Sequence, residues 1–316
     1  MNKKMISVMI PCFNEEDVLP ETAKRLYVKL MGLIKNNRIS DKSRLLFVDD
    51  GSTDHTWDMI NAYHNKDKHF SGISLSRNRG HQNALLAGLM TAKDYCDAAI
   101  SMDADLQDDI DAVDDMLVKF QEDGCEIVYG VRNARESDTA FKRTTAHIFY
   151  KIMIKLGVET VQDHADYRLM GKKALEALAL YEEKNLFLRG IVPQLGYKTD
   201  IVYYRRGERF AGESKYPLRK MISFAVDGVT SFTTKPIESI FTIGVVLFII
   251  SFLGFILAFI RMLTGSGTML GIIFSSIWLT SAILMIAIGV IGEYIGKTYM
   301  ESKERPRYFI EKSLLD

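Results

Sequence analysis

Two stretches decide most of what this chain can become. Residues 240–260 and 269–291 contain no Asp, Glu, Lys or Arg. Each exceeds the roughly 20 residues that an α-helix needs to cross a bilayer core. A helix in a soluble core seldom runs so far without a charge, so both read as membrane spans. The loop between them, residues 261–268, holds one basic residue, Arg261. Arg219, Lys220 and Lys235 precede the first span, and Lys297, Lys303, Arg305 and Arg307 follow the second. Positive flanks of this kind predict both termini in the cytoplasm, with the protein a multi-pass component of the cytoplasmic membrane. Leu218, Met221, Ile222, Ala225, Val226, Val229 and Phe232 recur at helical spacing just ahead of the first span. With basic residues around them, they predict an amphipathic helix lying in the membrane interface.

The rest of the chain is polar. Its 40 basic and 40 acidic residues cancel, so nothing marks a nucleic-acid partner. Cys12, Cys96 and Cys125 are odd in number and far from any metal-ligand spacing, as expected of reduced thiols. No long apolar core opens the chain, which predicts a cytoplasmic N-terminal domain. The expected division is a cytoplasmic domain over 1–216, an interfacial helix over 217–236, a two-helix membrane domain over 237–297 and a cytoplasmic tail over 298–316.

Short apolar runs alternate with helical stretches through the first domain. Strands are expected at 6–10, 45–48, 72–75, 98–102, 126–130 and 198–204. Helices are expected between the first pairs of these runs, then at 81–93, 110–121, 171–181 and 186–195. Residues 162–170 read as polar residues between apolar stretches. The alternation predicts βαβ units, a parallel sheet and a doubly wound α/β domain.

In such a sheet the strand-end loops line one crevice. Pro11 to Glu15, Asp49 to Ser52, Arg77 to Gly80 and Asp103 to Gln107 are those loops. The last carries Asp103-Ala104-Asp105: two carboxylates that can meet one hard divalent ion, with a small residue that lets a flat ligand approach the backbone. Mg²⁺ typically takes one or two carboxylates and fills its octahedron with substrate phosphates. A nucleotide-diphosphate compound is therefore the natural ligand of the crevice. His81 and His164 read as polar loop histidines rather than metal ligands.

The ordered motifs resemble those of glycosyltransferase family 2 enzymes that charge polyprenyl phosphates. They include Ile10-Pro11-Cys12-Phe13-Asn14-Glu15, Val48-Asp49-Asp50-Gly51-Ser52, Ser76-Arg77-Asn78-Arg79-Gly80-His81-Gln82 and Asp103-Ala104-Asp105-Leu106-Gln107-Asp108. Asp163 to Met170, Gly212-Glu213-Ser214-Lys215-Tyr216 and Gly292-Glu293-Tyr294-Ile295-Gly296-Lys297 extend the likeness. Ala165 stands where close relatives have glycine.

The resemblance implies a GT-A type fold and an inverting transfer from a nucleotide-sugar donor, UDP-glucose or a related UDP-sugar, to a polyprenyl phosphate acceptor. It implies that Pro11, Phe13, Glu15, Val48 and Asp50 hold the nucleoside, with Asn14, Arg79 and Ala104 beside them in the donor crevice. Asp103, Asp105 and Gln107 would hold Mg²⁺ or Mn²⁺ and the diphosphate. Arg132 and Arg143, helped by Arg209, Ser214 and Lys215, would meet the acceptor phosphate. Asp166, ahead of Asp163, would act as a base or orient the sugar. A homo-oligomer is compatible with the sequence.

Two other readings share these motifs. A processive polysaccharide synthase on the same fold usually carries Gln-x-x-Arg-Trp and more spans, whereas the two tryptophans here, Trp57 and Trp278, lack that context. A non-catalytic membrane scaffold has no need of intact Asp103, Asp105 and Gln107.

Overall fold

The computed structural model describes residues 3–132, 164–184, 186–205 and 270–315, with single positions between 240 and 253. The chain divides into two compact units. The first holds the sheet, the helices around it and the C-terminal residues, and the second holds the long apolar helix.

Apolar, β-branched runs form the centre of the first unit. β1 (Ile6–Cys12), β2 (Arg44–Asp49), β3 (Phe70–Leu75), β4 (Ala98–Ser101) and β5 (Ile127–Arg132) are buried along nearly their whole length. Strands covered on both faces read as continuous apolar runs. α1 (Leu19–Lys35), α2 (Thr56–Lys66), α3 (His81–Lys93) and α4 (Ala112–Gln121) link them. α1 has Pro20 in its first turn, Glu21 beside it and Lys35 in its last, an arrangement suited to the helix ends. β6 (His164–Gly171), α5 (Lys172–Ala179), α6 (Leu188–Gln194) and β7 (Thr199–Tyr204) complete the order. α7 (Leu270–Ser302) and β8 (Ile310–Leu314) close it.

The eight strands lie in the order β7-β5-β6-β4-β1-β2-β3-β8. The expected parallel sheet is corrected to a mixed one. β6 runs antiparallel to both β4 and β5, and β8 antiparallel to β3. Both reversed strands start at the edge where the parallel strands end, so each must run back against them. This reversal sets the site. Ser101 pairs with Arg168 across β4 and β6, and continuing that register by two residues brings Asp103 opposite Asp166.

β8 lies in the segment read as a tail and fills the edge of β3. Ser76 N–H donates to the Phe309 carbonyl at 3.0 Å, and Arg44 Nη1 donates to the Leu315 carbonyl at 2.7 Å. Leu314 packs against the main core. Gly72 keeps this corner open: a Cβ there would stand 2.6 Å from Ile60 Cγ2 and 3.7 Å from Leu314 Cδ1. Deleting residues 310–316 should uncover the β3 edge and cost about 2 kcal/mol in lost pairing and burial. The thermal midpoint in detergent should fall by roughly 4–8 °C. An unchanged midpoint would show that β8 adds nothing to the sheet.

α7 spans 33 residues, about 50 Å at 1.5 Å per residue. Its segment Ile283–Ser302 is long and apolar enough to cross a membrane, has a mean hydropathy of 1.3 and is not buried. It is the one such helix among the described residues. The other expected span, 240–260, and the interfacial helix fall mostly or wholly outside them.

Candidate active site

The loops at the carboxyl edge of the sheet are stitched to one another. Asn14, after β1, has a left-handed backbone with φ 53°. Its N–H donates to Ser52 Oγ at 2.9 Å, and its Oδ1 accepts from Thr53 N–H at 2.9 Å. Glu15 N–H donates to Thr56 Oγ1 at 3.0 Å. Asp49 accepts from Ser52 N–H at 3.0 Å and from Ser74 Oγ at 2.7 Å. Asp50 is buried, and its two oxygens accept from Arg79 N–H at 2.7 Å and Gly80 N–H at 2.9 Å. Gly51 permits this approach. It has φ +66°, and a Cβ there would stand 2.5 Å from the Arg77 carbonyl carbon, a clash with backbone as well as a strained conformation.

Pro11 is buried in β1, and Val48 packs in the core beneath Gly88 of α3. Phe13, in contrast, stands 42% exposed at the crevice. The Nε of Arg79 is buried without a hydrogen-bond partner among the described residues.

The acidic loop after β4 makes a tight turn. Gln107 N–H donates to Asp105 Oδ1 at 3.1 Å, and Leu106 takes a left-handed φ of 57°. The buried Ala104 carbonyl accepts from Thr22 Oγ1 of α1 at 2.7 Å. Burial pushes the Asp103 carboxyl up to about 6; Asp108, Asp166 and Asp105 add to the rise and His81 opposes it. A carboxylate crowded by others is a place where a divalent cation relieves repulsion. Asp103, Asp105 and the Gln107 side-chain amide could supply hard oxygen ligands of the kind Mg²⁺ or Mn²⁺ takes. Among the described residues no group of three His, Cys, Asp or Glu side chains gathers as a metal cage. The residues fit an ion that shares its shell with a substrate.

Asp166, on β6, is the hub of the opposite wall. Its Oδ1 accepts from Arg168 Nη2 at 2.6 Å and Arg189 Nε at 3.2 Å. Its Oδ2 accepts from Arg189 Nη2 at 3.1 Å and Gln82 Nε2 at 3.5 Å, with His81 Nε2 at 3.4 Å. Burial alone would raise the Asp166 carboxyl, but Arg189, His81 and Arg168 outweigh it and hold it well below the usual carboxylate range. His81 also stands 3.8 Å from Asp103 Oδ1. Burial would lower its imidazole; the Asp166 hydrogen bond and the two carboxylate charges instead push it up to about 9. Ser101 Oγ donates to the Asp166 carbonyl and locks β4 to β6.

Arg132 ends β5 with Nε donating to Tyr204 OH at 3.1 Å and Nη2 3.5 Å from Asp108 Oδ1. Tyr204 OH donates to the same oxygen at 2.5 Å. The structure thus brings together the loops bearing Asn14, Glu15, Asp50 and Arg79, and sets Asp103 beside His81 and Asp166. Asp163, Arg143, Arg209, Ser214 and Lys215 lie outside the described residues. Reading the sequence missed Arg189, Gln82 and the bridging place of His81. Only the register of β6 against β4 brings these together, and no local pattern announced that strand.

A Rossmann-type α/β sheet places its ligand crevice at the carboxyl ends of its strands, where this chain carries its acidic loop. The family model for glycosyl transferase family 2 matches residues 7–179. The uncharacterized glycosyltransferase YkoT of Bacillus subtilis is 49% identical over 99% of this chain and 93% of its own length. The prophage bactoprenol glucosyl transferase homolog of Escherichia coli K12 is 37% identical over 97% of this chain and 98% of its own. A crystal structure of mannosyl-3-phosphoglycerate synthase from Rubrobacter xylanophilus matches at a TM-score of 0.49, with 15% identity over 72% of each chain. The chain belongs to glycosyl transferase family 2: it is a glycosyltransferase, and its mixed sheet is of the GT-A kind.

Proposed function

We propose that this enzyme transfers glucose, with inversion, from UDP-glucose to a polyprenyl phosphate at the cytoplasmic face of the membrane. The observation that carries the reading is the meeting of Asp103, from the acidic loop, with His81 and the Asp166 cluster at the carboxyl edge of the sheet. Full-length likeness to a protein named for bactoprenol glucosyl transfer supports the acceptor and the sugar. α7 and the charge-free stretch before it support two membrane spans, and the basic residues flanking them support both termini in the cytoplasm. The catalytic domain covers 1–216 and regains residues 305–316 through β8; the interfacial helix covers 217–236, and the membrane domain starts at 237 and includes α7 to Ser302.

The nucleoside rests against Pro11, Phe13, Asn14, Glu15 and the backbone of Val48. Asp50 acts by holding the backbone of Arg79 and Gly80, and Arg79 meets the diphosphate. Asp103, Asp105 and Gln107 hold Mg²⁺ or Mn²⁺, with Ala104 leaving room beside them. When bound there, the cation supplies charge neutralisation for the departing diphosphate. Arg132, Arg143, Arg209, Ser214 and Lys215 receive the acceptor phosphate.

In the transfer, an acceptor phosphate oxygen forms a bond to the anomeric carbon as the bond to the UDP oxygen breaks. A phosphate monoester, largely dianionic at pH 7, needs no proton removed. A carboxylate held as low as Asp166 is in any case a weak proton acceptor. Asp166 therefore orients the sugar rather than acting as a base, and Asp163 is assigned the same task from the sequence.

The test is label transfer from UDP-glucose to undecaprenyl phosphate by purified enzyme in detergent, with Mg²⁺, with Mn²⁺ and with chelator. Activity should need the metal. Asp103 must lose its proton to bind metal, so metal affinity holds above pH 6 and falls roughly tenfold per pH unit below it. Transfer that persists in chelator, or metal affinity unchanged from pH 7 to pH 5, would contradict the assignment.

A further inference from the structure

Asp166 has more cationic partners than its burial requires. Arg168, at 1% side-chain exposure, already pairs with Oδ1 at 2.6 Å and suffices to compensate a buried carboxylate. Arg189 comes from another segment, the short helix α6, and its side chain is 30% exposed. It grips the carboxylate at two points, through Nε to Oδ1 at 3.2 Å and Nη2 to Oδ2 at 3.1 Å. A planar fork of this kind fixes rotation as well as position. Arg168 holds one oxygen only, and the other partners of Oδ2, His81 at 3.4 Å and Gln82 at 3.5 Å, stand farther off than the Arg189 fork.

The segment that carries Arg189 is itself held against this site. Leu188 N–H donates to Gln82 Oε1 at 3.0 Å, and Arg168 Nη1 donates to the Leu188 carbonyl at 3.4 Å. Gln82 Nε2 reaches Asp166 Oδ2. One amide side chain thus registers both the carboxylate and the backbone beside Arg189.

We propose that Arg189 is a positioning residue for sugar transfer, fixing the plane of the Asp166 carboxylate from α6 through its two-point fork. The inference rests on the orienting role given above to Asp166. Arg189 acts through that carboxylate, so its loss changes turnover more than donor binding.

The experiment measures steady-state transfer from UDP-glucose to undecaprenyl phosphate for wild type, Arg189→Ala, Arg189→Lys, Asp166→Asn and the Asp166→Asn/Arg189→Ala pair. A second arm records the side-chain ¹⁵N shifts of His81 in histidine-labelled protein at one fixed pH, without substrate. Arg189→Ala should lower kcat by about ten- to hundredfold, the scale of misplacing a reacting group. KM for UDP-glucose should stay within about twofold, since the loss falls on turnover. Arg189→Lys should recover part of kcat, because an ammonium makes one contact. The double variant should be no slower than Asp166→Asn alone. The His81 signal should move in Arg189→Ala, because the carboxylate it faces turns. Wild-type kcat in Arg189→Ala, losses that multiply in the double variant, or an unmoved His81 signal would overturn the proposal. If wild type fails to use these substrates, the proposed function falls, and the His81 signal still decides the place of Arg189.

Discussion

Asp105→Ala is expected to lower transfer by about 10²–10³-fold, the cost of removing a group that stabilises developing charge. Asp105 lies in the turn after β4, where its Oδ1 accepts from Gln107 N–H at 3.1 Å. Removing it takes one of two carboxylates from the proposed donor set and frees a turn hydrogen bond worth about 1 kcal/mol. The core beneath, with Met102 and Ala104 buried and Thr22 bonded to the Ala104 carbonyl, is untouched. The variant should therefore fold and insert normally while UDP affinity loses its dependence on Mn²⁺. Wild-type turnover, or metal-dependent UDP binding that survives, would remove Asp105 from the metal site.

Arg168→Met should cost about 3 kcal/mol, the lower end of the range for breaking a buried pair. Arg168 is among the largest fully buried side chains of the described residues, and it stands 2.6 Å from Asp166 Oδ1. Asp166 keeps Arg189 and His81 as partners, which places the loss at that lower end. The midpoint in detergent should drop by about 6–12 °C, far more than for Arg189→Lys. A shift under 2 °C, on the order of a surface change, would mean that Arg168 is not the compensating charge.

These two residues also show where the sequence was legible. The parallel strands announced themselves as apolar runs: residues 6–10, 45–48, 72–75 and 98–102 lie within or within one residue of β1 to β4. The span expected at 81–93 is the observed α3. Strand-end loops followed from that pattern, and with them Asn14, Asp50, Asp103 and Asp105. β6 hid because its Asp166 and Arg168 break the apolar run. They are buried only by pairing with each other and with His81 and Arg189 from distant helices. β8 hid for the opposite reason. As an edge strand it is mostly exposed and carries Glu311, Lys312 and Ser313, so no periodicity marks it as part of a sheet. His81 read as a loop histidine because its partners arrive from β4 and β6, which no stretch of α3 encodes.

The most direct measurement is the mass and anomeric configuration of the lipid made from UDP-α-glucose and undecaprenyl phosphate by the purified enzyme with Mg²⁺ or Mn²⁺. The account predicts one hexose on one phosphate, with the β configuration that a single inverting displacement leaves. A polymer of hexoses, an α-linked product, or no lipid product while water-soluble glucosides form would contradict it.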